Sequence, residues 1–180
     1  MEDPELVKRC QQTDRKAQEL LYARFADKMF RVGYRYMKND VETEDVIIVA
    51  FGKAFKSIRS FKYQGPGSLE AWLRKIVVNE SLMGLRKKHN FNLTESIDDR
   101  VPEADLKQFS ECDGDDIYKM ITQLPTGYRT VFNLNTIEGY HHEEIATMLG
   151  ISEGTSRSQL FKAKALLKKM LTREGFHYGT

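Results

Sequence analysis

Three observations predict an all-α chain of two small helical units: long amphipathic runs at three- and four-residue steps, few helix breakers, and a charge that changes sign twice along the chain. Only 4 of 180 residues are proline, and 41% are hydrophobic, enough to build packed cores. The formal net charge of +2 hides its own distribution. Residues 1–91 hold 18 Lys+Arg against 12 Asp+Glu, residues 92–116 hold 2 against 9, and residues 117–180 hold 8 against 5. Two basic segments flanking an acidic one suit modules that touch phosphate and a connector that avoids it.

The elements follow in order. Asp3 before Pro4 predicts an N-cap and first helical residue for a short helix to about Gln11. Thr13 is the expected cap of a second stretch, where Leu20, Leu21, Phe25, Phe30, Tyr34 and Met37 recur until Asn39 and Asp40 end it. From Thr43, the residues Ile47, Ala50, Phe51, Ala54, Phe55 and Ile58 share one face, with Glu44, Lys53, Lys56 and Arg59 elsewhere on the wheel. Two glycines and a proline within FKYQGPG, residues 61–67, then break the periodicity. Ser68 is the expected cap of the next helix, which Leu69, Trp72, Leu73, Ile76, Leu82 and Leu85 carry to about Lys88. Its basic tail, Arg86, Lys87 and Lys88, suits the negative end of the helix dipole.

Residues 92–116 have sparse hydrophobics and a strong negative charge, which is connector composition. Domains are therefore expected over residues 1–91 and 117–180. Helical periodicity resumes at Ile117, Ile121 and Leu124, restarts after Pro125 with Val131, Phe132 and Leu134, and pauses at Gly139. Ile145, Ala146 and Leu149 belong to one further helix, Gly150 and Ile151 turn the chain, and Ser152 caps a last helix to about Leu171.

Several function classes lose support at this level. Cys10 and Cys112 form no C-x-x-C pair and fit reduced thiols in a cytoplasm. The polar N-terminus MEDPELVKRC and the lack of a long apolar run predict neither secretion nor membrane insertion. No metal-ligand or phosphate-loop spacing is present, so no catalytic residue, metal site or cofactor is expected. His141 and His142 are adjacent and cannot both face one metal from a helix, so they are expected to be exposed.

The run HHEEIATMLGISEGTSRSQLFKAK has the spacing of a helix-turn-helix. Ala146 is small where two helices cross, Gly150 permits the positive φ of the turn, Ile151 packs beneath it, and Leu149 and Leu160 fill the shared core. In a major groove, Ser152, Thr155 and the free N–H groups of the last helix would hold a phosphate. Arg157, Ser158, Phe161 and Lys162 would lie on the exposed side, with Arg157 reading a guanine edge and Phe161 a thymine methyl. A solvated basic helix end explains the same residues without DNA.

Two motifs together resemble the extracytoplasmic-function (ECF) sigma factors of bacteria over nearly the whole chain. LPTGYRTVFNLNTIEGYHHEEIATMLGISEGTSRSQLFKAKALLKK is similar to sigma region 4, and VETEDVIIVAFGKAFKSIRSF followed by SLEAWLRKIVVNESLMGLRKK is similar to region 2. GISEGTSRSQL resembles the branch common in Bacteroidetes. The resemblance implies that region 4 reads the minus-thirty-five element of a promoter while region 2 recognises and helps melt the minus-ten element. It also implies a core RNA polymerase partner, contacted at its β′ clamp helices and β subunit, and an anti-sigma factor.

On the same resemblance, the helix over residues 42–58 docks on the clamp, which makes Glu44 and Asp45 contacts; stabilisation of the helix N-terminus explains those carboxylates equally well. The loop of residues 61–68, with Phe61, Lys62, Tyr63, Gln64 and Ser68, corresponds to the segment that captures an unstacked minus-ten base. Asn79 faces the separated strand, and Arg74, Lys75, Arg86 and Lys87 meet phosphates, although solvation alone accounts for any one such cation. Trp72 is expected in the core because its spacing matches Leu69, Leu73 and Ile76. The chain departs from the family pattern at Ser156, usually apolar, which can bond back to its own helix, and at Gln159, often arginine, which would either remove a phosphate charge or supply a different base contact.

An extended connector of 25 residues reaches on the order of 80 Å at roughly 3.3 Å each, enough for sites about two DNA turns, or roughly 70 Å, apart. A conventional helix-turn-helix regulator, binding palindromic duplex as a dimer without polymerase, is the alternative. A metal-dependent nuclease would need a carboxylate or histidine cluster that the sequence does not offer.

Overall fold

The computed structural model describes residues 1–88 and 114–173, and all its regular elements there are helical. The acidic connector expected over 92–116 lies, except for its last three residues, outside the described residues, as does Cys112. The chain divides into two compact units between His89 and Asn90.

The first unit holds α1 (Asp3–Gln11), α2 (Arg15–Met37), α3 (Asp40–Ser57), a 3-10 turn (Ile58–Ser60) and α4 (Ser68–Lys88). Helices α2, α3 and α4 each pack against the other two, and α1 lies against α2 and the 3-10 turn. Leu21, Met29, Tyr36, Ile47, Phe51, Leu69 and Leu73 are buried between them. The predicted face of α3 is largely the observed one: Ile47, Ala50, Phe51, Ala54 and Ile58 are sealed, and Phe55 is half-buried. Gly33 lets α2 approach α3 closely, because a Cβ there would stand 3.2 Å from Cγ2 of Thr43.

The helix starts differ from the sequence expectation in informative ways. Glu2, not Asp3, occupies the first cap position, and Asp3 is already helical. Thr13, expected to cap α2, instead takes a left-handed turn at φ 63°, and Asp14 caps the helix by accepting from the N–H groups of Lys16 and Ala17. A carboxylate serves those donors better than a hydroxyl, and it also meets the guanidinium of Arg9 at 2.6 Å. Asn39 caps α3 by accepting from the Glu42 N–H, so that helix begins before Thr43.

The Arg9 hydrogen bond, aided by the backbone donor of Ala17, holds the Asp14 carboxyl below the usual carboxylate range. A depressed native pKa means stability that is present above the ordinary carboxylate range and lost as pH falls through it. Asp14→Asn keeps a cap acceptor but cannot be protonated. Between about pH 6 and about pH 3, chemical unfolding midpoints should therefore fall less for Asp14→Asn than for the parent chain. Equal falls would show that the Arg9 pair contributes nothing to acid sensitivity.

The second unit holds α5 (Gly114–Gln123), α6 (Thr126–Phe132), a π-helical turn (Asn133–Ile137), α7 (His142–Leu149) and α8 (Glu153–Arg173). Helix α5 begins before the resumed apolar period at Ile117 because Asp115 and Asp116 favour its first turn. Helix α8 is the spine, packed against α6 and α7, with Leu160, Ala163, Leu167 and Leu171 turned inward. The buried Arg129 of α6 donates to the carbonyl of Leu124 at 2.7 Å, satisfying backbone exposed by the end of α5.

Candidate nucleic-acid interface

In the second unit, α7 and α8 form the expected helix-turn-helix. Gly150 ends α7 in the left-handed conformation at φ 69°, and its N–H and that of Ile151 both donate to the Ala146 carbonyl. Ser152 then starts α8 by accepting from the Thr155 N–H at 3.0 Å, and the two hydroxyls pair at 2.9 Å. Leu160 is buried and Leu149 half-buried, so the shared core rests more on α8 than on α7.

The outer side of α8 carries the candidate groove residues. Ser152, Arg157, Ser158 and Phe161 are exposed, and Thr155 and Lys162 are half-buried. Glu153, Arg157 and Phe161 stand at four-residue steps, and Arg157 donates to Glu153 at 2.8 Å across the exposed ridge. Three expectations require correction. Gln159 is buried at 8% exposure and so is no base contact, because its place on α8 faces the core. Ser156 is wholly buried and, instead of bonding to its own helix, its Oγ meets Nδ1 of His142 at 2.8 Å. His142 is accordingly half-buried, not exposed; His141 is exposed, and its backbone N–H donates to Glu144.

In the first unit the residues bearing on the minus-ten expectation gather on one loop and one helix. Gly65 and Gly67 take φ of 115° and 82°, conformations that need glycine. Lys62 and Gln64 are exposed, and Phe61 and Tyr63 half-buried. Ser68 does not cap α4: it is helical itself, its hydroxyl donating to the Gly65 carbonyl at 2.7 Å and accepting from the Gln64 N–H at 3.2 Å. It therefore closes the loop on itself. Along α4, Lys75, Asn79, Met83 and Lys87 form an exposed ridge at four-residue steps, with Arg86 exposed beside it and Arg74 half-buried.

Three features escaped sequence reasoning. Gln11 of α1 donates through one amide nitrogen to the carbonyls of Ile58, at 3.2 Å, and Phe61, at 2.9 Å, so the first helix grips the root of the loop. Trp72 is half-buried, not sealed, with its ring centroid 4.8 Å from that of Phe61. It floors the loop. Neither could be found without knowing the fold, since the partners lie 50 and 11 residues away. Third, α3 exposes Val41, Ile48 and Val49 at 68%, 66% and 48% alongside the exposed Glu44 and Asp45. An apolar strip edged by carboxylates is a protein-binding surface in composition, and the VIIVA run was its sequence trace. A cavity of about 450 Å³ opens beside it between α3 and α4, lined by Val46, Val49, Met83 and Lys87 among others.

Among the described residues no group of His, Cys, Asp or Glu is placed to hold a metal ion, and no helix is long and apolar enough to cross a membrane. Cys10 is buried and unbridged, and burial pushes its thiol pKa up, away from reactivity.

Comparison with known proteins bears on both units. Residues 21–91 match the family model described as Sigma-70 region 2, and residues 114–167 match Sigma-70, region 4. The ECF RNA polymerase sigma-E factor of Haemophilus influenzae is 29% identical over 183 residues, covering 94% of this chain and 95% of that protein. The ECF RNA polymerase sigma factor SigE of Mycolicibacterium smegmatis is 29% identical over 160 residues, 85% of this chain but 61% of its own length. Among solved structures, the sigma factor RpoE of Bartonella quintana, in complex with the anti-sigma factor NepR, shares the fold with a TM-score of 0.50 at 22% identity, over 86% of this chain and 96% of that one.

Proposed function

The chain belongs to the sigma-70 family and is of the ECF type, and from that premise we propose that it is a dissociable specificity subunit that directs core RNA polymerase to promoters in the cytoplasm. The observation that carries the reading is the pair of matched regions in one chain, in the order 2 then 4. Residues 1–91 serve as the region 2 module, residues 117–180 as the region 4 module, and residues 92–116 as the tether. Core polymerase performs the chemistry; the chain supplies no catalytic group.

Each module has its own task. Ser152, Thr155, Arg157, Ser158, Phe161 and Lys162 meet the minus-thirty-five duplex from the outer side of α8. Phe61, Lys62, Tyr63, Gln64 and Ser68 form the loop that takes a minus-ten base, and Arg74, Lys75, Asn79, Arg86 and Lys87 of α4 guide the separated strand. Glu44 and Asp45 face the clamp of polymerase, joined in that contact by Val41, Ile48 and Val49. An anti-sigma partner holds the chain out of use, and the GISEGTSRSQL motif supports a Bacteroidetes source.

Run-off transcription tests the reading. Purified chain, core polymerase and a genomic promoter library from the source bacterium should yield discrete starts that vanish when the chain is omitted. Absence of any chain-dependent start would overturn it, and tight binding to palindromic duplex without polymerase would favour a conventional regulator.

A further inference from the structure

We propose that His142 is a positioning residue for promoter reading: its ring holds the buried hydroxyl of Ser156 and so fixes the pose of α8, and its protonation loosens that reading. The inference rests on the assignment of α8 as the recognition helix. His142 Nδ1 and Ser156 Oγ lie 2.8 Å apart, joining the first residue of α7 to the inner face of α8. Ser156 stands between Thr155 and Arg157, two residues that would meet DNA. Its side chain has no solvent exposure, so the hydroxyl needs a partner within the protein.

A neutral imidazole carrying its proton on Nε2 offers Nδ1 as acceptor, and the serine hydroxyl donates to it. The surroundings favour that neutral ring. Burial lowers the His142 pKa from the ordinary histidine value; Arg157 and Lys164 of α8 and the neighbouring His141 lower it further, against Glu153 alone. The positive end of the α7 dipole acts in the same direction. The π-helical turn, which also packs on α7, carries no charged side chain.

Adding a proton reverses the bond. Nδ1 becomes a donor, Ser156 Oγ must accept, and the serine proton loses its partner in a sealed site. The new cation also attracts phosphates of any sequence. Both effects lower the ratio of specific to non-specific binding, the first by disturbing α8 and the second by raising the background.

The test uses the full chain assembled with core polymerase and a promoter fragment recovered from a randomised duplex pool at about pH 8. Competition against the same fragment with a scrambled minus-thirty-five block gives the specificity ratio. For the parent chain this ratio should fall about twofold or more between about pH 8 and about pH 5.5, since a histidine pKa below the ordinary value leaves part of the rings neutral at the acid end. His142→Asn, whose side-chain oxygen can replace Nδ1 but takes no proton, should hold its ratio across that range. His142→Phe should be about tenfold lower at both ends, and adding Ser156→Ala should recover most of the loss by removing the stranded hydroxyl. An equal pH fall in His142→Asn, or an unchanged ratio in His142→Phe, overturns the proposal.

Measurements without DNA separate this inference from the promoter reading. Nitrogen NMR of the free chain should show the Nε2–H tautomer at His142, and the unfolding midpoint of His142→Phe should rise when Ser156→Ala is added. The opposite tautomer sinks the latch whatever the DNA results. A parent-chain ratio of one at about pH 8 sinks the promoter reading even if the latch is seen.

Discussion

Replacing Ile145 by alanine should destabilise the second unit by about 2–5 kcal/mol, the range for emptying a sealed aliphatic site. Ile145 has no solvent exposure and is the one fully buried residue of α7. An eight-residue helix has almost no stability of its own, so α7 depends on that side chain to seat it against α8 and the π-helical turn. Thermal unfolding of the full chain should show the transition of the second unit lowered by about 8 °C or more, with that of the first unit in place. A loss under about 1 kcal/mol would mean that α7 is held by its polar contacts instead. On the proposed function, core polymerase binding should survive, and discrimination at the minus-thirty-five element should not.

Arg157→Ala should cost about 1–3 kcal/mol at one promoter position, about 5- to 150-fold, if the guanidinium reads a guanine edge. Its pairing with Glu153 does not stand in the way. Both side chains are well exposed, at 64% and 47%, and such a pair contributes about 0–1 kcal/mol, less than a bidentate base contact offers. Binding to a panel of fragments, each with one altered base pair, would locate the loss. A uniform loss over all sequences, with a salt slope reduced by about 1, would mark Arg157 as a phosphate contact.

Much of this architecture was legible in the sequence, and the reasons differ by element. The buried face of α3 followed from period alone, and the turn at Gly150 followed from the demand for positive φ. Caps were less legible: Thr13 and Asp14 are both good cap residues, and the choice fell to the one that also reaches Arg9. Polar residues on buried faces were the hardest. Ser156 and Gln159 flank Arg157 and Ser158 in the sequence, and only the packing around α8 shows which of them face inward. The grip of Gln11 on the loop was beyond reach, because nothing local joins residue 11 to residue 61.

That grip makes the shortest α-helix of the first unit a remote support for the loop of residues 61–67. An affinity tag or truncation that unseats α1 would slacken the segment proposed to take a minus-ten base without altering any residue in it. On the proposed function, such a preparation should still bind polymerase yet open promoters poorly, a fault easily mistaken for a weak DNA sequence.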